Sequence, residues 1–598
     1  MSADGKVMAI QVAFDGQPGD EKVNAAVPAV RAAAAASLQG TDLTSELTGN
    51  AAIQVDTTSA FDHADSIITI ATVILIVVLL GLIFRSPLIS IIPIIVIGIV
   101  LQVVTGITAA LADGFDFEVS TSLQSILVVV LFGIGTDYIV FLLFRYRESV
   151  RGGRSHDESL VFAATVVGKV VGSSALTVIG AFAALLLARL GSLSTLAPGL
   201  IVAVAVMLIT TLTLIPAVFA LLGKHLFWPL GAGQNSARSP FAAIGEYTAR
   251  RPALVAGGVA VVLIILTVFS TGFKPTYNTL AELPSDTPAQ QAFNTMSVSF
   301  PPGTLSPTQV YVVGTAPLDP ASLAPLSAAL AAVPGVASVT PPKPSQDGTA
   351  ALINVILEAD PFANEAIDLV EGPVRAAAHG AVPGADVYVG GQTSTFVDVR
   401  AQLHSDTRLV FPVAAVIIFL ILGLLLTSLL APLNLVVCVG LTFAATLGAV
   451  VLVFLDGVGY SGVDFTIPIV LYLFVVAIGT DYNILIAARL HEEFRNGHRP
   501  REAVRIAIAN DAPTVAAAGV ILAFTFASLM LTGIANLVEL GFGVAVGIAI
   551  AAFGMAPLLV PALSALQGRA FWWPTKVSPR APASAQAPPP PTAAPAQP

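Results

Sequence analysis

GIGTDYIVFLLFRYRE at residues 133–148 and AIGTDYNILIAARLHEE at residues 477–493 each set one aspartate and one tyrosine inside an otherwise apolar run. Asp137 lies eight residues before Arg145, and Asp481 lies eight before Arg489. At a helical rise of 1.5 Å per residue, each carboxyl is about 12 Å inward from a charged helix end, close to the middle of a hydrocarbon core about 30 Å thick. An aspartate at that depth costs at least about 2.5–3.5 kcal/mol on insertion scales, so both are expected to face a bundle interior and to have partners.

The rest of the chain supports a membrane reading. Of 598 residues, 55% are hydrophobic and 11% charged, and the mean hydropathy is +0.86; ordinary soluble domains carry roughly 25% charged residues. Runs long enough to span fall near 66–84, 88–111, 121–144, 170–189, 197–222 and 253–272, then near 409–428, 431–455, 466–488, 514–533 and 538–562. Eleven transmembrane helices are therefore expected. The single cysteine, Cys438, excludes a disulfide framework and a cysteine metal site.

Between the sixth and seventh runs, residues 273–405 are polar enough for a separate domain. The pattern predicts strand, helix, strand, strand, helix, strand near 308–314, 320–333, 336–341, 350–358, 363–378 and 385–390, the split βαβ order of ferredoxin-like domains. Residues 5–14, 20–37 and 51–57 read as strand, helix, strand, the back half of such a domain. Four pairs of segments place the two halves in register. The GTDY stretches differ by 344, AVRAAAA (from Ala29) and PVRAAAH (from Pro373) by 344, LIPAVFALLG (from Leu214) and LVPALSALQG (from Leu559) by 345, and His63/Asp65 and His404/Asp406 by 341. A repeat of one helix, one domain and five helices crosses the membrane an even number of times, so both copies have the same orientation. By this offset the counterpart of 253–344 precedes Met1, and a truncated chain is the expectation.

The resulting division is 1–64, a partial first porter domain; 65–224, the first bundle; 225–252, a linker; 253–272, the first helix of the second repeat; 273–407, the second porter domain; 408–567, the second bundle; and 568–598, a Pro/Ala-rich tail. Arg145, Arg147, Arg151, Arg154, Lys224, Arg238, Arg250, Arg251, Arg489, Arg495, Arg499, Arg501 and Arg505 crowd one side, and the short loops of the other hold only Arg189. The positive-inside rule puts the arginines and the tail in the cytoplasm and residues 1–64 and 273–405 outside. Trp228, Trp572 and Trp573 fall at inner helix ends, as an interfacial belt would have them.

A buried carboxyl beside a tyrosine hydroxyl can take up a proton from one side and release it to the other. Asp137, Tyr138, Asp481 and Tyr482 are therefore candidates for a proton relay, with Thr136, Thr480, Ser173, Ser174 and Thr177 as neighbours. The same pairs can instead be interhelical hydrogen bonds that lock the bundle, and the neighbouring hydroxyls can be helix-packing groups. HEEFRNGH begins like a zinc-protease helix but has Arg495 where the second histidine belongs, and VVGKVVGSS lacks both the first glycine and the Ser or Thr after lysine of a Walker A loop. No enzymatic activity, metal, cofactor or nucleic-acid partner is expected, and energy would come from an ion gradient.

GTDY in the middle of the fourth and tenth helices, two repeats of helix, outer domain and five helices, and the Pro-rich tail together resemble the MmpL family, the actinobacterial branch of the RND superfamily. The resemblance implies an α-helical polytopic membrane protein with α/β, ferredoxin-like extracytoplasmic porter domains. It also implies proton-driven export of lipids, glycolipids or lipid-like siderophores from the plasma membrane to the cell envelope, with membrane lipids, accessory envelope proteins or a second copy as partners. Asp137 would then sit near Tyr482, and Asp481 near Tyr138. Alternatives within the superfamily are a drug or small-solute exporter and a SecDF-like export aid; from another class, a non-transporting scaffold or sterol-sensor-like protein.

Overall fold

The computed structural model describes residues 1–574 except 3, 17–18, 118, 121, 230–239, 279, 301, 305 and 381–385, so Arg238 and most of the tail fall outside the described residues. A first helix, α1 (Glu21–Ser37), precedes five helices: α2 (Asn50–Phe84), α3 (Pro87–Phe115), α4 (Leu123–Arg151), α5 (His156–Leu187) and α6 (Gly191–Leu222). A short α7 (Pro240–Arg250) leads into α8 (Pro252–Ser270). After the polar domain come α12 (Gln392–Leu426), α13 (Leu430–Val458), α14 (Ile467–Arg495), α15 (Pro500–Thr532) and α16 (Ala535–Trp572). With α8, the two sets of five make eleven helices long and apolar enough to cross a membrane among the described residues.

Local signals explain where several of these helices begin. Prolines occupy the first turn of α3, α8, α14 and α15, where a missing N–H costs nothing. Ser155 and Glu158 close a capping box at the start of α5. The spans most enclosed by protein are α4 and α14, with 100% and 94% of their apolar windows buried, against 11% for α8. The GTDY helices are thus the centre of the bundle. Around them, α4 packs on α5, α6 and α15, and α14 on α5, α13, α15 and α16, so each repeat's central helix touches the other repeat.

The polar domain has the expected order. Strands β2 (Thr308–Val313), β3 (Val336–Val339), β5 (Ala350–Leu357) and β6 (Asp386–Gly390) form an antiparallel sheet in the order β3–β5–β2–β6. Tyr311 sits opposite both Leu352 and Tyr388. A short β4 (Lys343–Pro344) extends β5. Val310, Val312, Ile353 and Val355 alternate onto one face and meet Leu326 and Leu330 of α10 (Ala324–Ala331) and Ile367, Val370 and Val374 of α11 (364–380). That period of two is what one buried sheet face requires. Ahead of the sheet, β1 (Pro275–Thr276) pairs in parallel with β7 (Val463–Asp464), tying the base of the domain to the connection between α13 and α14.

The first-repeat segment differs from its reading in two places. Residues 5–14 form no strand among the described residues, and 51–57 belong to α2. In the second domain β5, the counterpart of residues 5–14, pairs with β2 on one side and β3 on the other. A strand without a ladder leaves its backbone groups unpaired, and residues 5–14 join no ladder among the described residues. Residues 51–57 instead continue the membrane helix upward, so the division at 64/65, like that at 407/408, cuts through one unbroken helix. Hydropathy registers only the apolar part of such a helix. The segment still packs beside the second domain: Val27 and Ala52 join Leu280, Leu283 and Ala289. Arg31 Nη1 and Nη2 each donate to Asp56 at 2.7 Å, and Asp56 accepts the Ala289 N–H at 2.8 Å from α9 (Pro288–Ser299).

Candidate proton-relay site

The four central residues meet inside the bundle. Asp137 and Asp481 are each 3% exposed, and Tyr138, Tyr482, Thr136 and Thr480 are fully buried. Asp137 lies against Tyr482 of the other repeat and within electrostatic reach of Asp481. Tyr138 in turn feels the charge of Asp481. Ser174, on α5, stands between this second pair: its Oγ is 3.2 Å from the Tyr138 hydroxyl, and its side chain faces Asp481. The structure therefore brings each aspartate to the tyrosine of the opposite repeat.

Hydrogen bonding at the centre is incomplete. Asp137 Oδ1, Asp481 Oδ1, the Tyr482 hydroxyl and Thr136 Oγ1 are buried without a partner, and no basic side chain forms an ion pair with either aspartate among the described residues. Two carboxyl groups within electrostatic reach of each other, with no cation between them among the described residues, can share a proton. The neutral state of one supplies a proton to donate; the ionised state of the other supplies an acceptor.

The remaining neighbours split cleanly. Ser173 Oγ donates to the Val170 carbonyl at 2.8 Å, Thr177 Oγ1 to Ser174 at 2.7 Å and Thr480 Oγ1 to Ala477 at 2.8 Å. These three hydroxyls are turned back onto their own helices. Only Ser174 and the unpartnered Thr136 remain available to the centre.

Three features were not picked out from the sequence. Asn483 follows Tyr482, fully buried, with both amide atoms unpartnered; its first-repeat counterpart at an offset of 344 is Ile139. Asp511 of α15 is also buried, 3.8 Å from Arg145 and within the field of Arg489. Each arginine also holds glutamates: Arg145 reaches Glu148 at 2.8 Å, and Arg489 reaches Glu492 at 3.1 Å and Glu493 at 2.9 Å. A polar side chain within a stretch otherwise rich in apolar residues was the available signal for Asn483 and Asp511. The third is a π-helical stretch in α16, Ile550–Leu559, packed against the centre. A Cβ on Gly519 would fall 2.3 Å from Ala552 Cβ and 3.9 Å from the Tyr482 ring, so glycine is what lets α15 and α16 close around the tyrosine.

Comparison with known proteins bears on this arrangement. The MMPL family model matches residues 1–255 and 281–585. The chain is 32% identical over 565 residues to the apo-petrobactin exporter of Bacillus anthracis, covering 89% of this chain and 74% of that one. It is 30% identical over 473 residues to the mycolic acid-containing lipids exporter MmpL11 of Mycolicibacterium smegmatis, covering 74% of this chain and 49% of that one. The solved structure of the hedgehog release protein Disp from the water bear Hypsibius dujardini superposes with a TM-score of 0.63 at 14% identity, over 85% of this chain and 71% of that one, a likeness of fold.

Proposed function

Because the chain belongs to the MMPL family of membrane transporters, we propose that it exports lipid or lipid-like molecules from the plasma membrane towards the cell envelope and that protons passing through Asp137, Tyr482, Asp481 and Tyr138 drive it. One observation carries the proton step: two aspartates from two repeats meet at the bundle centre with unpartnered oxygens and no cation. Protonation of one aspartate frees it to hydrogen-bond across the repeat boundary, and its deprotonation breaks that bond. The central helices α4 and α14 then change their preferred spacing with each proton.

The lipid class rests on the name of the mycobacterial relative, and the crowd of arginines beyond Arg145 and Arg489 supports a cytoplasmic placing of that side. The Bacillus relative favours a second reading, a siderophore-like small solute, because this chain covers more of it. One proton moved across 100 mV yields about 2.3 kcal/mol, a concentration ratio of less than about fiftyfold for one substrate molecule. A cycle using several protons fits steep export better. The test is proton uptake by the full chain in proteoliposomes, with co-purified molecules identified by mass spectrometry. Substrate-dependent uptake, lost in Asp481→Asn, is the expected result; uptake equal in wild type and variant overturns the relay.

A further inference from the structure

Away from the central aspartates, three carboxyls meet where the polar domain joins the bundle. Glu282 lies in the connection between β1 and α9, Asp464 ends β7, and Glu539 is in the first turns of α16. The Asp464 N–H donates to Glu539 Oε2 at 2.9 Å, and Glu282 sits against Asp464, with Glu539 within its field. Backbone bonds fasten the same three segments, since the Ala535 N–H donates to the Glu282 carbonyl at 2.8 Å and the Val463 N–H to the Lys274 carbonyl at 2.9 Å.

All three carboxyls are at least nine-tenths buried, and no lysine, arginine or histidine forms an ion pair with any of them among the described residues. The other polar groups facing them are Thr466, whose N–H and hydroxyl both donate to Asp464 Oδ1, and Tyr277, which senses the charge of Asp464. The Thr466 donors serve only Asp464, and the Ile467 N–H faces the same carboxyl. Glu282 Oε1, on the carboxyl that meets Asp464, is buried and has no hydrogen-bond partner. The first-repeat counterparts of Asp464 and Glu539 at an offset of 344 are Ser120 and Thr195, and Ser120 Oγ lies 3.0 Å from that of Ser122.

We propose that Glu282, Asp464 and Glu539 form a second proton-binding site, separate from the central aspartates, which when protonated clasps the polar domain of the second repeat to the membrane bundle. Carboxyls in contact without a cation hold together only while protons bridge them, and ionisation of a second one drives the segments apart. Burial, reinforced by the neighbouring carboxyls, holds Glu282 well above the ordinary carboxylate range, and burial raises Asp464 as well. The sign follows from linkage. Groups whose affinity for protons is higher in the closed form stabilise it fully at low pH, and that stabilisation falls as pH rises from the ordinary carboxylate range through the raised one. The joint should therefore be tight in acid and loose in base.

Hydrogen exchange of the full chain in lipid nanodiscs, read by mass spectrometry from about pH 5 to about pH 8 and corrected for intrinsic rate, tests this. In wild type, exchange at the amides of Asp464, Thr466 and Ala535 should rise by roughly tenfold or more across that range. Glu282→Gln, a neutral mimic of the protonated acid, should remain protected throughout, and Glu539→Gln serves in its place if that variant does not accumulate. Flat protection in wild type, or an unchanged pH response in the glutamine variant, overturns the proposal. Asp137→Asn should leave the response intact, whether or not it abolishes transport. Loss of the response in that variant would make the joint a mere echo of the central site and would also overturn it.

Discussion

The two half-sites at the bundle centre come from duplicated sequence but are not chemically equal. Around Tyr138 and Asp481, Ser174 supplies a hydroxyl that touches one and faces the other. Around Tyr482 and Asp137 the matching position on α15 is Ala518, followed by Gly519, and the Tyr482 hydroxyl has no partner. Asn483 adds a further unpaired amide on that side only. Duplication copied the acid and the phenol but not the groups that steady them. One half-site thus has a hydroxyl set between its acid and its phenol, and the other has none.

The comparison breaks first at the aspartates. Asp137→Asn and Asp481→Asn keep shape and an accepting oxygen but cannot ionise, so each should lower transport in proteoliposomes by roughly a hundredfold or more at normal expression. Full transport by either one would mean that the half-sites only brace the bundle. Next come the tyrosines, where activity and stability should move in opposite ranks. Tyr482→Phe removes the hydroxyl facing Asp137 and should reduce transport by roughly tenfold, yet change thermal stability little, because that hydroxyl meets Asp137 without a well-formed hydrogen bond. Tyr138→Phe, with Ser174 still in place, should reduce transport less while lowering stability by about 1 kcal/mol, measured by a thermal shift in detergent. Ser174→Ala sharpens the contrast. It should cost transport a few-fold and remove the further effect of Tyr138→Phe, a coupling that a double-mutant cycle reads directly. The smallest change is expected for Thr480→Val, whose hydroxyl serves only its own helix; its effect on stability should stay within about 0.5 kcal/mol.

Much of this was legible in the sequence, for identifiable reasons. The eleven helices follow from uninterrupted apolar length, and the strand order of the polar domain follows from the alternation seen in Val310 and Val312. The meeting of Asp137 with Tyr482 followed from the paired motif and the family it resembles. Strands at 5–14 and 51–57 were misread because a strand is a property of its partners: residues 5–14 join no ladder among the described residues, and 51–57 match 395–401, which are helical in the second repeat as well. Ser173 and Ser174 could not be told apart from composition: adjacent helical positions differ by about 100° in direction, and only packing shows which one faces the centre. The π-stretch in α16 leaves no mark in an apolar run. Asp511 was passed over because no second copy flags it, its counterpart at an offset of 344 being Val167.

α2 and α12 are each 35 residues long, unbroken from the polar domains into the membrane. At 1.5 Å per residue each is a rod about 52 Å in length. A rod converts angle into distance: a tilt of about 5° at one end displaces the other by roughly 4–5 Å, close to one helical turn. The two rods are not equally stiff, for α12 contains Pro412 and α2 has no proline. A proline removes one hydrogen bond from the ladder and crowds the preceding turn, so it makes a natural point of bending. Next to it, the Phe411 carbonyl is claimed by the Tyr472 hydroxyl of α14 at 2.9 Å, and the two rings stack at 3.9 Å. The second rod is thus gripped beside its weak point by the helix that carries Asp481. Rearrangement of that helix would swing the outer arm of α12, whereas α2 would move only as a whole, leaving one arm of the pair to act as crank and the other as post.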